Sequence, residues 1–241
     1  MRYAVLSDVH ANLEALRAVL DDCRGEVDAV LCLGDLVGYG ADPIPCVELL
    51  ARDAAALVAG NHEHGVTGRL SLGWFNRFAR AAAQWTAERL DDDHRAYLGS
   101  LPLTAVVADA TLVHASPDRP GQWEYLTSAE DGFRAFAAFP TRLCFVGHSH
   151  QPGYWSLGSA GRRRRMGAVD LALENGRRYL VNVGSVGQPR DRDPRACYAI
   201  WDAEARRIAM RRVSYDVAAA QGKIIAAGLP RFLADRLRSG T

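Results

Sequence analysis

The chain has 241 residues, 49% hydrophobic and 24% charged, with a net charge of +1, the make-up of a folded globular protein. A near-zero charge gives no sign of a nucleic-acid or membrane partner, and no apolar stretch approaches the length of a membrane-spanning helix. The N-terminal MRYAVLSDVH is too short and too polar for a signal peptide, and the five cysteines have no C-x-x-C spacing, so we expect a cytoplasmic protein with free buried thiols.

In chain order, residues 2–8 read as a strand ending in polar residues. Residues 12–24 form an amphipathic helix with Leu13, Leu16, Val19 and Leu20 on one face. A second buried strand covers 29–35, a helix opened by Pro43 covers 43–53, and a third strand covers 56–61. This βαβαβ pattern implies parallel strands. Residues 72–99 read as helices and 104–115 as a hairpin turning at Asp109. A helix at 127–138 and a strand at 142–149 follow. Residues 166–186 read as a hairpin with Asn175-Gly176 as a type I′ turn, and 196–216 as another turning near 203–206. Two short helices, 216–227 and 230–238, close the chain, separated by Gly228 and Pro230. With no linker or repeat, the expectation is a single α/β domain, 1–241. Its two mixed sheets pack face to face with helices outside, a four-layer αββα sandwich.

The strand ends share a chemistry. The first ends in SDVH (Asp8, His10), the second in LGD (Asp35), the third in GNHEH (Asn61, His62), the hairpin in LVH (His114) and the later strand in VGHSH (His148, His150). Ligands of open parallel sheets bind beyond the carboxyl ends of strands, so these side chains should share one cleft. One Asp-x-His is a weak signal: a lone strand-end Asp is often a helix cap and a lone His a core group. Five ordered clusters are a strong one. Imidazole, carboxylate and amide oxygen suit Mn, Fe, Zn, Co or Ni, and a shared carboxylate can hold two such ions roughly 3.5–4 Å apart. Gly34, Gly60 and Gly147 each precede a ligand, where the backbone must be tight.

The order Asp-x-His, Gly-Asp, Gly-Asn-His-Glu, His, Gly-His-x-His resembles the calcineurin-like metallophosphoesterase superfamily over residues 5–150. DVHANLEAL, GDLVGYGADP, LVHASP and NVGSVGQPRDRDPRACYAIWD extend the resemblance toward the small bacterial and archaeal YfcE-type group. One departure is Val183, where that group has Pro. The resemblance implies a dinuclear phosphoesterase acting on phosphodiester, and also phosphomonoester, bonds. Asp8, His10 and His150 would hold one ion, and Asn61, His114 and His148 the other. Asp35 would bridge them together with a water or hydroxide. The ions would be divalent transition metals, Mn first, with Fe, Ni, Co or Zn as alternatives. His62 would be no ligand but would face the phosphate and assist the leaving group.

Other features leave alternatives open. Arg119, Trp123, Arg190 and Tyr39 are candidate substrate contacts; core packing for the aromatic residues, and pairing of Arg190 with Asp191 or Asp193, are the plainer readings. GRRRR (161–165) reads as a solvated loop, with nucleic acid or a phosphorylated substrate as the sharper alternative. The partner expected is a small phosphate ester or nucleotide-like molecule. Protein phosphatases and dinucleoside tetraphosphatases of the superfamily carry Gly-Asp-x-x-x-Arg-Gly, where this chain has Tyr39 in place of the Arg. A non-catalytic scaffold, as in the retromer relative, is the alternative from another class.

Overall fold

The computed structural model describes residues 1–241 apart from Ala160. The elements run β1 (Arg2–Leu6), α1 (Leu13–Cys23), β2 (Ala29–Cys32), α2 (Pro43–Asp53), β3 (Ala54–Leu57) and α3 (Asn61–Val66). Next come α4 (Arg77–Ala87), α5 (Asp92–Ser100), β4 (Thr104–Val107), β5 (Ala110–Val113), α6 (Ala129–Ala135) and β6 (Leu143–Val146). Then follow β7 (Gly153–Gly158), β8 (Arg163–Gly167), β9 (Leu171–Ala172), β10 (Arg177–Asn182), β11 (Ala196–Asp202) and β12 (Arg207–Val213). The last are α7 (Val217–Ala226) and α8 (Arg231–Ser239).

Alternation along the strands builds the layers. In β1, Tyr3 and Val5 face one way and Ala4 and Leu6 the other, all buried. Tyr3 and Val5 join Leu31, Phe145, Val181 and Trp201 in a core between two mixed six-stranded sheets. The first sheet has the order β3-β2-β1-β11-β12-β9, the second β4-β5-β6-β10-β7-β8. Ala4, Leu6 and Ile200 pack outward on α1, α2 and α5 through Leu16, Leu50 and Leu98. The outer face of the second sheet buries Val146, Leu180 and Trp155 beneath Ala135 of α6 and the following Phe136 and Phe139. The expected αββα sandwich is present. Caps set the helix starts: Asn12 accepts from the Ala15 amide, Asn76 from the Phe78 and Ala79 amides, and Asp91 from the His94 amide. All five cysteines are free and buried. Among the described residues no helix is long and apolar enough to cross a membrane.

Three expectations need correction. Residues 166–186 are not a hairpin: β9 pairs with β12 in the first sheet, whereas β10 pairs with β6 and β7 in the second. Asn175-Gly176 joins two sheets, and only Gly176 has a positive φ, so the turn is not type I′. The basic run is no loop. Arg163–Gly167 is an edge strand paired with β7, and Arg163, Arg164 and Arg165 are occupied by the Phe133 ring, Glu174 and the Thr127 carbonyl. The third strand ends at Leu57, and Asn61 opens α3 instead of closing a strand.

Candidate metal centre

The loops after β1, β2, β5 and β6 meet at one end of the sandwich, and α3 starts beside them. Five of the candidate ligands hold left-handed backbone there: Asp8 (φ 55°), His10 (49°), Asp35 (53°), His148 (64°) and His150 (58°). Each such residue costs about 1–3 kcal/mol and persists only where its surroundings over-determine it. The surroundings do so here. Asp8 N–H donates to the Gly34 carbonyl (3.0 Å), His10 N–H to that of Asp35 (2.8 Å), and His148 N–H to Asp8 Oδ2 (3.0 Å). A Cβ on Gly60 would collide with the Asp35 carboxylate, and one on Gly147 with Ser7 and Asp8, so no other residue lets these loops approach so closely.

Carbonyl oxygens fix the histidines. His10 Nδ1 donates to Val37 O (3.1 Å), His114 Nδ1 to Leu33 O (2.9 Å) and His150 Nδ1 to Gln188 O. A carbonyl only accepts, so the proton of each neutral ring is on Nδ1 and Nε2 offers a bare lone pair. These lone pairs converge. His10 Nε2 lies 3.1 Å from His150 Nε2, and His114 Nε2 lies 3.1 Å from His148 Nδ1. Asp8 Oδ1 sits 3.1 Å from His150 Nε2 and 3.7 Å from His10 Nε2, with no hydrogen-bond donor of its own. Asp35 Oδ2 stands between the groups, 3.6 Å from His10 Nε2 and 3.3 Å from His114 Nε2.

Acceptors facing acceptors in a buried site repel unless a cation lies among them. A shared proton does not fill the role around His150. Burial pushes His150 down to about 4 and His148 down to about 3, so both are neutral near pH 7. Burial also pulls on His114, but Asp35 beside it wins and raises it to about 9, so a cation bound there would take the place of the proton on its Nε2. Asp8 and Asp35 are held below the usual carboxylate range: burial opposes this and is outweighed by the histidines around them, among which the charged His114 stands 3.9 Å from Asp8 and 3.3 Å from Asp35. Two carboxylates and an all-nitrogen/oxygen set without thiolate therefore fit divalent transition metals. The groups that come within reach of one ion are Asp8, His10 and His150, and separately Asp35, His114 and His148. Asn61 Oδ1 is buried without a partner and borders the same cleft, the state of an amide oxygen left for a cation.

His62 is 2% exposed and shut in by rings, edge-on to His10 (4.8 Å) and Phe75 (5.0 Å) and tilted against Tyr39 (4.7 Å). Burial holds it down to about 3, hence neutral. It also lies within ligand reach of His10 and Asp35. A residue that sequence reading passed over is Glu63. Its buried carboxylate accepts from the amides of Gly60 (2.7 Å), Asp35 (2.8 Å), Leu36 (2.8 Å) and Val37 (3.3 Å). Burial and the nearby Asp35 push it up to about 7, against four donors that favour the charged form. The signal for it was an acid three residues after the helix cap.

A cleft of about 540 Å³ opens over the centre, with Asp35, His62 and His148 on its floor. Tyr39, Trp123 and Arg190 line it, as does Tyr125, which stacks on His148 at 3.9 Å. Arg190 is free of both neighbouring acids: Asp191 pairs with Arg212 and Asp193 with Arg195. It donates to Gln188 Oε1 and lies over Tyr39. Arg119 lies apart from these residues. It is exposed, paired with Glu124 at 2.8 Å, and outside the cleft lining. Of the two histidines left over in the sequence, His64 packs edge-on to Trp123 and His94 bonds Asp91.

Residues 1–206 match the calcineurin-like phosphoesterase superfamily domain. An uncharacterized protein of Methanocaldococcus jannaschii is 40% identical over 247 residues, spanning 98% of this chain and 97% of its own. The crystal structure of a metallophosphoesterase from Sphaerobacter thermophilus is 45% identical with a TM-score of 0.87, covering 100% of this chain and 99% of that one. A hypothetical protein from Pyrococcus horikoshii OT3 shares the fold at a TM-score of 0.77 and 21% identity, over 100% and 98% of the two chains.

Proposed function

The chain belongs to the calcineurin-like phosphoesterase superfamily, and on that premise we propose that it is a two-metal enzyme hydrolysing phosphodiesters. The observation that carries the reading is the pair of converging ligand groups that meet at Asp35. Asp8, His10 and His150 would hold one ion, and Asn61, His114 and His148 the other, with Asp35 common to both. Two bound divalent cations would lower the pKa of a water, polarise a phosphoryl oxygen and offset charge in an in-line displacement. The nitrogen and oxygen donors suit Mn, with Fe, Ni, Co or Zn as alternatives.

The chain's own residues supply the rest. The carbonyls of Val37, Leu33 and Gln188 hold three imidazoles with Nε2 turned toward the site, so the rings need not reorient on binding. His62, neutral and enclosed by aromatic rings, borders the cleft without any protein hydrogen bond to Nδ1. It is placed to donate a hydrogen bond from its ring N–H to the departing oxygen and so offset the charge that builds up there, while that oxygen takes its proton from water. Tyr39 and Trp123 wall the substrate, and Arg190 answers the phosphate charge. We read residues 1–241 as one such domain, and its five reduced thiols fit a cytoplasmic setting.

Monoester hydrolysis is the second reading, favoured by one observation: Arg190 lines the cleft with no carboxylate to neutralise it. A guanidinium answers the extra charge of a monoester dianion. The test compares bis-p-nitrophenyl phosphate with p-nitrophenyl phosphate at saturating Mn²⁺. We expect the diester to be turned over at least as well. Strong preference for the monoester would replace the first reading with the second. No turnover of either ester with Mn²⁺, Fe²⁺, Ni²⁺, Co²⁺ or Zn²⁺ would leave the scaffold alternative.

A further inference from the structure

Trp74 is 84% exposed, the most open of the large apolar side chains, yet its backbone is tightly held. It ends a 3₁₀ turn, Leu72–Trp74, that Ser71 caps through the Gly73 amide. Arg80 spends its guanidinium on the carbonyls of Leu72 (3.0 Å), Gly73 (3.3 Å) and Phe75 (3.2 Å), the residues around the tryptophan. Leu72 packs into the core, and Phe75 is buried edge-on to His62 at 5.0 Å. The turn is thus anchored by both neighbours while the indole between them stands clear. Nothing in folding requires this, since an exposed tryptophan contributes no burial.

The exposed ring is not remote from the chemistry. Trp74 lines the same cleft as Asp35, His62 and Arg190. Trp123 lines it too, from the loop after β5, held edge-on to His64 (5.0 Å) and His114 (6.1 Å). Two indoles on separate loops therefore border one cleft whose floor is polar. A rigid indole offers a large stacking face at small entropic cost, and such stacking accepts any planar ring. We propose that Trp74 is a specificity-determining residue that stacks on a planar ring carried by one arm of the phosphate ester, an aryl group or a nucleobase. This rests on the phosphoesterase reading above and names the substrate class within it.

The experiment uses the Mn²⁺-loaded enzyme and competitive inhibitors that share a phosphoryl group, phenylphosphonate, adenosine 5′-monophosphate and methylphosphonate. Trp74→Ala should weaken phenylphosphonate and the nucleotide about tenfold, the size expected for one lost stacking contact, and leave methylphosphonate little altered. Trp74→Phe should restore most of the loss, and KM for bis-p-nitrophenyl phosphate should rise in Trp74→Ala with kcat kept. Tighter binding of the nucleotide than of phenylphosphonate identifies a nucleoside arm, and the reverse a simple aryl arm. Equal effects on the phenyl and methyl probes, or none on either, would overturn the proposal while turnover by the wild type keeps the phosphoesterase reading intact. A wild type that turns over no ester and binds no phosphonate would instead remove that reading.

Discussion

Ring nitrogens at 3.1 Å, with carbonyls behind His10, His114 and His150, are the feature that turns a set of histidines into a candidate metal centre. The ligand types and their order were legible in the sequence because each ends a predicted strand or follows a glycine. The residues around them were less so. Glu63 was read only as part of GNHE, because its role depends on amides of residues 35–37, distant in sequence. Trp74 was absorbed into a helical stretch, and Arg119 was placed over the substrate although its own loop offers it Glu124. His62 separates binding from catalysis. His62→Ala should keep metal content and lose roughly 10²–10⁴ in turnover, less with p-nitrophenolate as leaving group. Equal loss with good and poor leaving groups would point to charge stabilisation instead, and loss of metal would make His62 a ligand. Asn61→Ala should weaken one ion far more than the other, read as a split in a Mn²⁺ binding isotherm; an unchanged isotherm would remove Asn61 from the ligand set.

At the scale of elements, β2 and α3 work as one piece because the Glu63 carboxylate ties the amides of Asp35, Leu36 and Val37 to the first turn of the helix. The Val37 carbonyl in turn orients His10. Glu63→Gln keeps one acceptor but turns an NH₂ toward amide donors. Leaving one or two buried amides unpaired costs about 1–3 kcal/mol each, so urea unfolding should show a loss of about 2–4 kcal/mol. A midpoint equal to the wild type would show that the carboxylate is dispensable to the loop. Elements were legible where periodicity was strong, as in α1, α2, β11 and β12. They were not where pairing partners decide. Asn175-Gly176 looks like a hairpin, yet the strands on either side belong to different sheets. The arginines of β8 gave no apolar alternation because this strand is an exposed edge, where charge is tolerated and discourages further pairing.

Across the whole molecule the centre joins the two sheets. Asp8, His10 and Asp35 come from loops of the first, and His114, His148 and His150 from loops of the second. Cations bound there would tie the layers together and oppose repulsion among the ligands. At a free Mn²⁺ concentration about 100 times Kd, each site should add about 2.7 kcal/mol, which for a chain of this size raises Tm by roughly 5–10 °C. A chelator should reverse the rise, and a Tm indifferent to both would show that the ligands are not joined by metal. The layer architecture was legible because strand and helix periods differ, whereas the assignment of β9 and β10 to opposite sheets rests on long-range pairing that no local pattern encodes. The most direct test of the two-metal assignment is the ratio of bound Mn²⁺ to protein in the wild type and in Asp35→Asn after identical reconstitution. Two ions per chain in the wild type, with both lost or loosened in the variant, is the predicted result; two ions fully retained in Asp35→Asn would contradict it.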